Sequence, residues 1–360
     1  MKNIILNGGV GFLSKTTGSS KKYLMDVVLI RIILIFLLVF YHSFCPFTGG
    51  WTGLPIEINP VTDSYRLFGA ISHHFRLEAM VFISGLLFGH TLKLHPERLN
   101  FNSCVTKKAK RLLLPGIMFS AIYYLMFYNL DAPAHRIIID LLDGCGHLWF
   151  LPMIFWCFVL CYTVERSKIS PATILVISML ATLLPHPLQL FGLGKLYHYF
   201  FYFYIGFAMK TGYIRNLSGK NKSWILAMLA ISVCLSFAID EMRILWDPET
   251  VYERALRSVI SGICSFVCAS TMIAALYSLA NRPKVLNFLE RHPALITVSG
   301  YCYGVYIYHQ FILQYLYYKT DLVLAMPTMF PWVGFAVSLV LSLLFCFLTQ
   351  KTRFGRYLIG

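Results

Sequence analysis

The sequence predicts an all-α protein: a polytopic membrane bundle of about ten transmembrane helices, with both termini in the cytoplasm. Four observations predict it. Hydrophobic residues make up 58% of the 360 residues and charged residues only 13%, where soluble domains carry about 25% charged. Mean hydropathy is +0.65. Apolar stretches near the ~20 residues that cross a bilayer recur along the whole chain. Finally, the loops between them alternate in charge. Such a chain cannot cover its apolar surface with polar side chains, and it holds far too much apolar material for disorder.

The expected spans, in order, are 24–46, 68–90, 111–130, 147–164, 171–185, 196–214, 223–240, 257–280, 295–318 and 328–350. The fifth is short and ends in Pro185–His186–Pro187, which suits a half-helix or a re-entrant segment. Residues 1–23 form a cytoplasmic N-terminal segment, 24–350 the membrane domain and 351–360 a cytoplasmic tail. The first apolar stretch is too long for the core of a signal peptide, contains Arg31 and has no small-residue cleavage site after it.

Loop charge sets the orientation. Residues 1–23, 91–111, 165–170, 210–222, 281–294 and 351–360 together hold 22 Lys/Arg and 3 Asp/Glu; the opposite loops hold 7 and 11. The positive-inside rule puts the first set in the cytoplasm. The net charge of +15 therefore reads as orientation charge, not as a nucleic-acid surface. The ten cysteines show no C-x-x-C and no zinc spacing. Cys157/Cys161 and Cys264/Cys268 read as packing residues within helices, and only Cys45 and Cys145 fall near the outer face, where they would be able to pair.

Ionisable groups inside a bilayer are costly and mark function. Arg31 and His42 are eleven residues apart in the first span, hence on one helical face and about 16 Å apart along its axis. Arg31 lies toward the cytoplasm and His42 in the outer third. The second span opens HHFRLEAMVFISG. Its His74 and Glu78 share a face at spacing i,i+4, and Arg76 points elsewhere, toward a neighbouring helix. His147 and His198 open the fourth and sixth spans, and His309 lies deep in the ninth. A histidine suits general-base work near neutral pH, an arginine can stabilise an oxyanion, and a carboxylate can orient a histidine. These are the parts of acyl transfer to a hydroxyl, and equally those of a proton-coupled transporter or flippase. A transporter would show inverted repeats with paired broken helices; only one broken candidate is present. Bis-histidine haem ligation by His42 and His309 is a third, weaker reading. At the inner face Lys107, Lys108, Lys110 and Arg111 offer a phosphate or anionic-lipid site.

Five elements in order resemble membrane acyltransferase family 3. They are Arg31-x10-His42 followed by Ser43, FRLEAMVFISG with Arg76, Ser84 and Gly85, KRLLLP with Lys110, Arg111 and Pro115, HLWFL with His147, Leu148 and Trp149, and YCYGVYIYH with Tyr303, Gly304, Tyr306 and His309. In the last, Cys302 replaces the usual serine. Within the family, Arg76 and the His309–Gln310 ending look most like glucan biosynthesis C-type succinyltransferases, with bacterial glycan O-acetyltransferases close; Glu78 stands where that subgroup often has proline. Some members carry a C-terminal esterase-like domain, and with about ten residues after the last span this membrane domain is expected to act alone.

The resemblance implies an integral O-acyltransferase of the bacterial cytoplasmic membrane. The co-substrate would be cytoplasmic acetyl-CoA or succinyl-CoA, with no tightly bound cofactor and no metal. The acceptor would be a hydroxyl of an envelope glycan or lipid-linked saccharide. His42 would be the base, with Arg76, His309 and Glu78 in supporting catalytic roles and Arg31 between catalysis and donor binding. Lys110, Arg111 and Trp149 would bind the donor, and His74, His147 and Tyr306 the acceptor.

Overall fold

The computed structural model describes residues 18–47, 50, 51, 65, 69, 71–94, 100–128, 130–183, 190–214 and 221–359, with side chains from Met25 onward, Phe47 excepted. The described residues are helical, with no strand among them. Every predicted span meets a helix. These are α1 Gly18–Phe44, α2 Arg76–Leu94, α3 Phe101–Lys108 continuing into α4 Leu114–Phe127, α6 Phe150–Arg166, α7 Pro171–Thr182, α8 Leu193–Thr211, α9 Lys222–Leu245, α10 Val251–Ala280, α12 Ala294–Tyr318 and α14 Phe330–Gln350. Four more helices, α5 Ala134–Asp143, α11 Pro283–Arg291, α13 Leu322–Ala325 and α15 Arg353–Ile359, are too short to span.

Among the described residues, seven segments are long and apolar enough to cross a membrane: Met25–Phe44, Ile71–Leu94, Phe101–Phe127, Gly146–Arg166, Lys222–Leu245, Val251–Ala280 and Phe330–Gln350. Three of the ten predicted spans fall outside this set. α7 has only 12 residues, and the Pro185–His186–Pro187 break lies outside the described residues. α8 and α12 are 19 and 25 residues long but rich in tyrosine, which lowers their hydropathy. These two helices carry His198 and His309.

α5 and α11 occupy segments that the sequence reading treated as loops. Their apolar residues lie on one face, and each is about ten residues long, as for a helix lying along an interface. α11 buries Leu286 and Leu289 against Met25.

The chain divides into two compact units, Met1–Arg76 with Ala275–Gly360, and Leu77–Ala274. In the first, α1, α12 and α14 form the core. Phe36 meets Phe335 (ring centres 4.8 Å apart), and Phe44 meets Trp332 (5.1 Å). Numbers rise along α1 as they fall along α14, so these helices run antiparallel. α12 and α14 pack closely at Gly304, where a Cβ would stand 2.5 Å from Cys346 Sγ. Ser338 Oγ donates to the His309 carbonyl at 2.9 Å.

In the second unit, α2 and α8 cross at glycines. A Cβ on Gly85 would lie 1.9 Å from the Phe203 carbonyl oxygen, and one on Gly206 would lie 2.2 Å from that of Phe82. Backbone thus touches backbone at the crossing, the small-residue mode of helix packing in membranes. Around it Phe88, Phe158 and Phe203 fill the space edge to face. Cys45 and Cys145, the two cysteines placed near the outer face from sequence, are both buried, one in each unit. Burial pushes the Cys145 thiol up to about 12.

Candidate functional site

The unbroken α1 keeps Arg31, which is exposed, and His42, which is half-buried, on the side where α12 runs. His42 Nδ1 lies 2.8 Å from His309 Nε2, and Arg31 acts electrostatically on Cys302. Both pairs rise together, so α1 and α12 run parallel. His42 is half-buried, whereas His309 is fully enclosed.

The hydrogen bonds fix where the protons sit. His309 Nδ1 lies 2.7 Å from the Tyr306 carbonyl and 3.1 Å from that of Val305. Carbonyls only accept, so His309 carries its proton on Nδ1, and Nε2 is left as an acceptor. His42 Nδ1–H donates to it. With both rings neutral, the lone pair of His42, whose ring is half-buried, lies on Nε2.

Arg76 opens α2 and is 3% exposed. Its Nη1 donates to the Ser72 carbonyl at 3.0 Å, and its guanidinium carbon sits 3.6 Å above the Tyr41 ring. Nε is buried without a hydrogen-bond partner. Arg76 also acts electrostatically on His309. Tyr41, beside His42 in sequence, holds this cation on one face of its ring and stacks with His73 at 5.1 Å. Trp51 lies nearly parallel to the His42 ring at 6.0 Å. His74 is buried edge-on to His73.

The remaining predicted residues, Tyr306 excepted, belong to the second unit. Glu78 Oε1 is 3.2 Å from His198 Nε2, so its carboxylate is engaged by a histidine to which no role was assigned from sequence. Lys110 and Arg111 lie exposed in a π-helical turn, Ala109–Leu113, that joins α3 to α4. π-Turns inside α-helices concentrate at functional sites. The neighbouring Lys108 turns inward, its ammonium 3.5 Å from the centre of the Phe158 ring. His147 is buried beside Tyr123. Trp149 carries the Lys195 ammonium on its face at 3.5 Å. Tyr306 is buried in α12 and contributes its carbonyl to His309.

Tyr41, Ser338, His198 and Lys195 escaped the sequence reading of the site. Tyr41 sits a quarter-turn from His42 on α1 and acquires a role only because Arg76 folds over it. Ser338 is one small residue among many in an apolar helix. His198 was visible as a histidine at a helix mouth, but its partner is 120 residues away.

Comparison with curated proteins and with solved structures returns no match. Residues 26–351 match the acyltransferase domain that defines the acyltransferase 3 family. That match reaches into both units and includes every predicted site residue, and the chain belongs to the acyltransferase 3 family.

Proposed function

We propose that this membrane acyltransferase moves an acetyl or succinyl group from cytoplasmic acyl-CoA to a hydroxyl of an envelope glycan or lipid-linked saccharide, in a bacterial inner membrane. The observation that carries the chemistry is the relay from backbone carbonyls through His309 to His42. It leaves His42 Nε2 as a base on a half-buried ring, with a buried guanidinium in the same unit.

In this reading His42 Nε2 takes the proton of the acceptor hydroxyl as its oxygen attacks the thioester carbonyl carbon. Arg76 stabilises the tetrahedral oxyanion through donors that Ser72 and Tyr41 do not consume. The intermediate collapses, the C–S bond breaks, and the thiolate of CoA takes the proton back from His42. A positioned base contributes typically 10²–10⁴-fold and one oxyanion donor about 10²–10³-fold. His309 does not touch substrate; it holds the tautomer and orientation of His42. The CoA phosphates are given to Lys110 and Arg111 and a carbonyl or phosphate along the donor to Arg31. His74, His147 and Tyr306 are kept on the acceptor side.

We further infer ten crossings with both termini cytoplasmic. The antiparallel run of α1 and α14 supports an even number, and the loop charges support the side.

The test is release of free CoA by the purified protein from acetyl-CoA and, separately, succinyl-CoA. His42→Gln is expected to lower turnover by about 10²–10⁴-fold with donor binding intact. Turnover unchanged in that variant would sink the mechanism.

A further inference from the structure

The last segment fit to cross a membrane ends at Gln350, so Lys351 stands at the bilayer surface and α15, Arg353–Ile359, follows at once. The family match stops at residue 351, so this helix lies outside what the family supplies. α15 folds back onto the bundle. Gly355 is pressed against the last turn of α14, where a Cβ would stand 2.0 Å from the Thr349 carbonyl oxygen. At the far end, a Cβ on Gly304 would lie 2.5 Å from Cys346 Sγ and 3.2 Å from Ile359 Cδ1. Ile359 is thus seated between α12 and α14 near the level of Cys346, which lies four residues, or about 6 Å of helix, before Gln350. The chain reaches the surface and then dips back by about one turn.

The two sides of α15 differ. Gly355, Leu358 and Ile359 are buried and share one face at spacings of three and four. At about 100° per residue the opposite arc carries, in order, Arg356, Arg353, Tyr357 and Phe354. All four are exposed, Phe354 by 62% and Tyr357 by 50%. The arc is cationic along one edge and aromatic along the other. Lys351 adds a third charge, its ammonium 4.5 Å from the centre of the Phe347 ring. Residues 351–360 hold no Asp or Glu, and among the described residues none of the three cations pairs with a carboxylate. Aromatic side chains beside Lys and Arg are the make-up of a helix that lies about 5–10 Å into the boundary between headgroups and acyl chains. The one-turn dip of α15 puts it at that depth.

We propose that Lys351, Arg353 and Arg356 bind the headgroup phosphates of anionic phospholipid, with Tyr357 and Phe354 set among the acyl chains beside them. A guanidinium meets a phosphate through two parallel N–H···O bonds, and each cation at a membrane surface adds a preference for anionic over zwitterionic lipid. The exposed aromatic edge favours a lipid over a free phosphate, which has no chains to cover it. The proposal makes no use of the acyl-transfer reading. Its consequence reaches the relay helix all the same: Ile359 rests at Gly304, on the helix that carries His309.

The test is photocrosslinking on the full chain, with benzoylphenylalanine in place of Tyr357. The protein is reconstituted in nanodiscs of phosphatidylglycerol and phosphatidylcholine in equal amounts and irradiated, and its adducts are weighed by mass spectrometry. Phosphatidylglycerol is expected to exceed phosphatidylcholine among the adducts by about tenfold, the scale of two or three surface cations partly screened by salt. Lys351→Gln, Arg353→Gln and Arg356→Gln combined in the same protein are expected to bring the two lipids to parity. Because all three side chains are exposed, the combined variant is expected to fold. Equal yields before any cation is removed overturn the proposal without reference to that variant. So does enrichment that survives the loss of all three cations, which would assign it to other basic residues. An adduct with a second copy of the chain in place of lipid, or no adduct at all, overturns it as well.

Discussion

Two imidazoles 2.8 Å apart share their protons under strict rules. If His309 were doubly protonated, His42 Nδ1 would have to accept, and its Nε2 would carry the hydrogen instead of the lone pair. The Tyr306 and Val305 carbonyls hold a proton on His309 Nδ1 in either state; when His309 is neutral that is its one proton, and Nε2 accepts from His42. In the proposed reaction His309 would play for His42 the part that an orienting carboxylate plays in other triads, without bringing a charge of its own. His309→Phe is expected to lower kcat by about 10–100-fold, the range for outer partners that orient a catalytic imidazole, with the KM for the donor unchanged. His309→Gln, whose amide oxygen can accept from His42 Nδ1–H, is expected to restore part of the loss. Equal losses in both variants would show that His309 only fills space. The sequence revealed both histidines and the face they lie on. It did not reveal this division of labour, because a tautomer depends on which atom stands opposite.

At the scale of the helix, the Ser84–Gly85 pair recognised in the sequence proves to be a packing device. Gly85 faces the Phe203 carbonyl, and Gly206 returns the same contact to Phe82. Gly85→Ala would press a methyl into a carbonyl oxygen that has no rotamer to escape to. Its cost is expected to exceed the roughly 1–3 kcal/mol usual for overpacking, read as a large fall in melting temperature or as loss of folded protein. A melting temperature within a few degrees of the wild type would show that α2 and α8 have room to separate. The interfacial helices α5 and α11 went unread for a different reason. At 10 and 9 residues they are too short for the hydropathy of a span, and their charged faces, with Arg136 bonded to Asp140 at 3.3 Å, resemble loop composition.

At the scale of the whole chain, α1 and α14 run in opposite directions within one compact unit. A chain whose first and last spans are antiparallel crosses the bilayer an even number of times and leaves both ends on one side. Fluorescent-protein fusions at either terminus are expected to fold and fluoresce, which they do in the cytoplasm. A secreted-phosphatase reporter placed in the 246–250 loop between α9 and α10 is expected to be active only outside. Activity of the two reporters in the reverse pattern would invert the orientation drawn from loop charge.

Composition and loop charge by themselves settled that the chain is helical and built for a bilayer, because water cannot solvate this much apolar surface. Spacing settled that Arg31 and His42 share a face, since a helix turns by a fixed angle per residue. Motif order carried the family. Only the tertiary structure decided which partners those residues meet: His309 for His42, Tyr41 for Arg76 and His198 for Glu78. Each of those partners lies on another helix or in another turn of the chain, and hydrogen bonds are directional contacts a few ångströms long. No periodicity along one segment can place the atom that completes them.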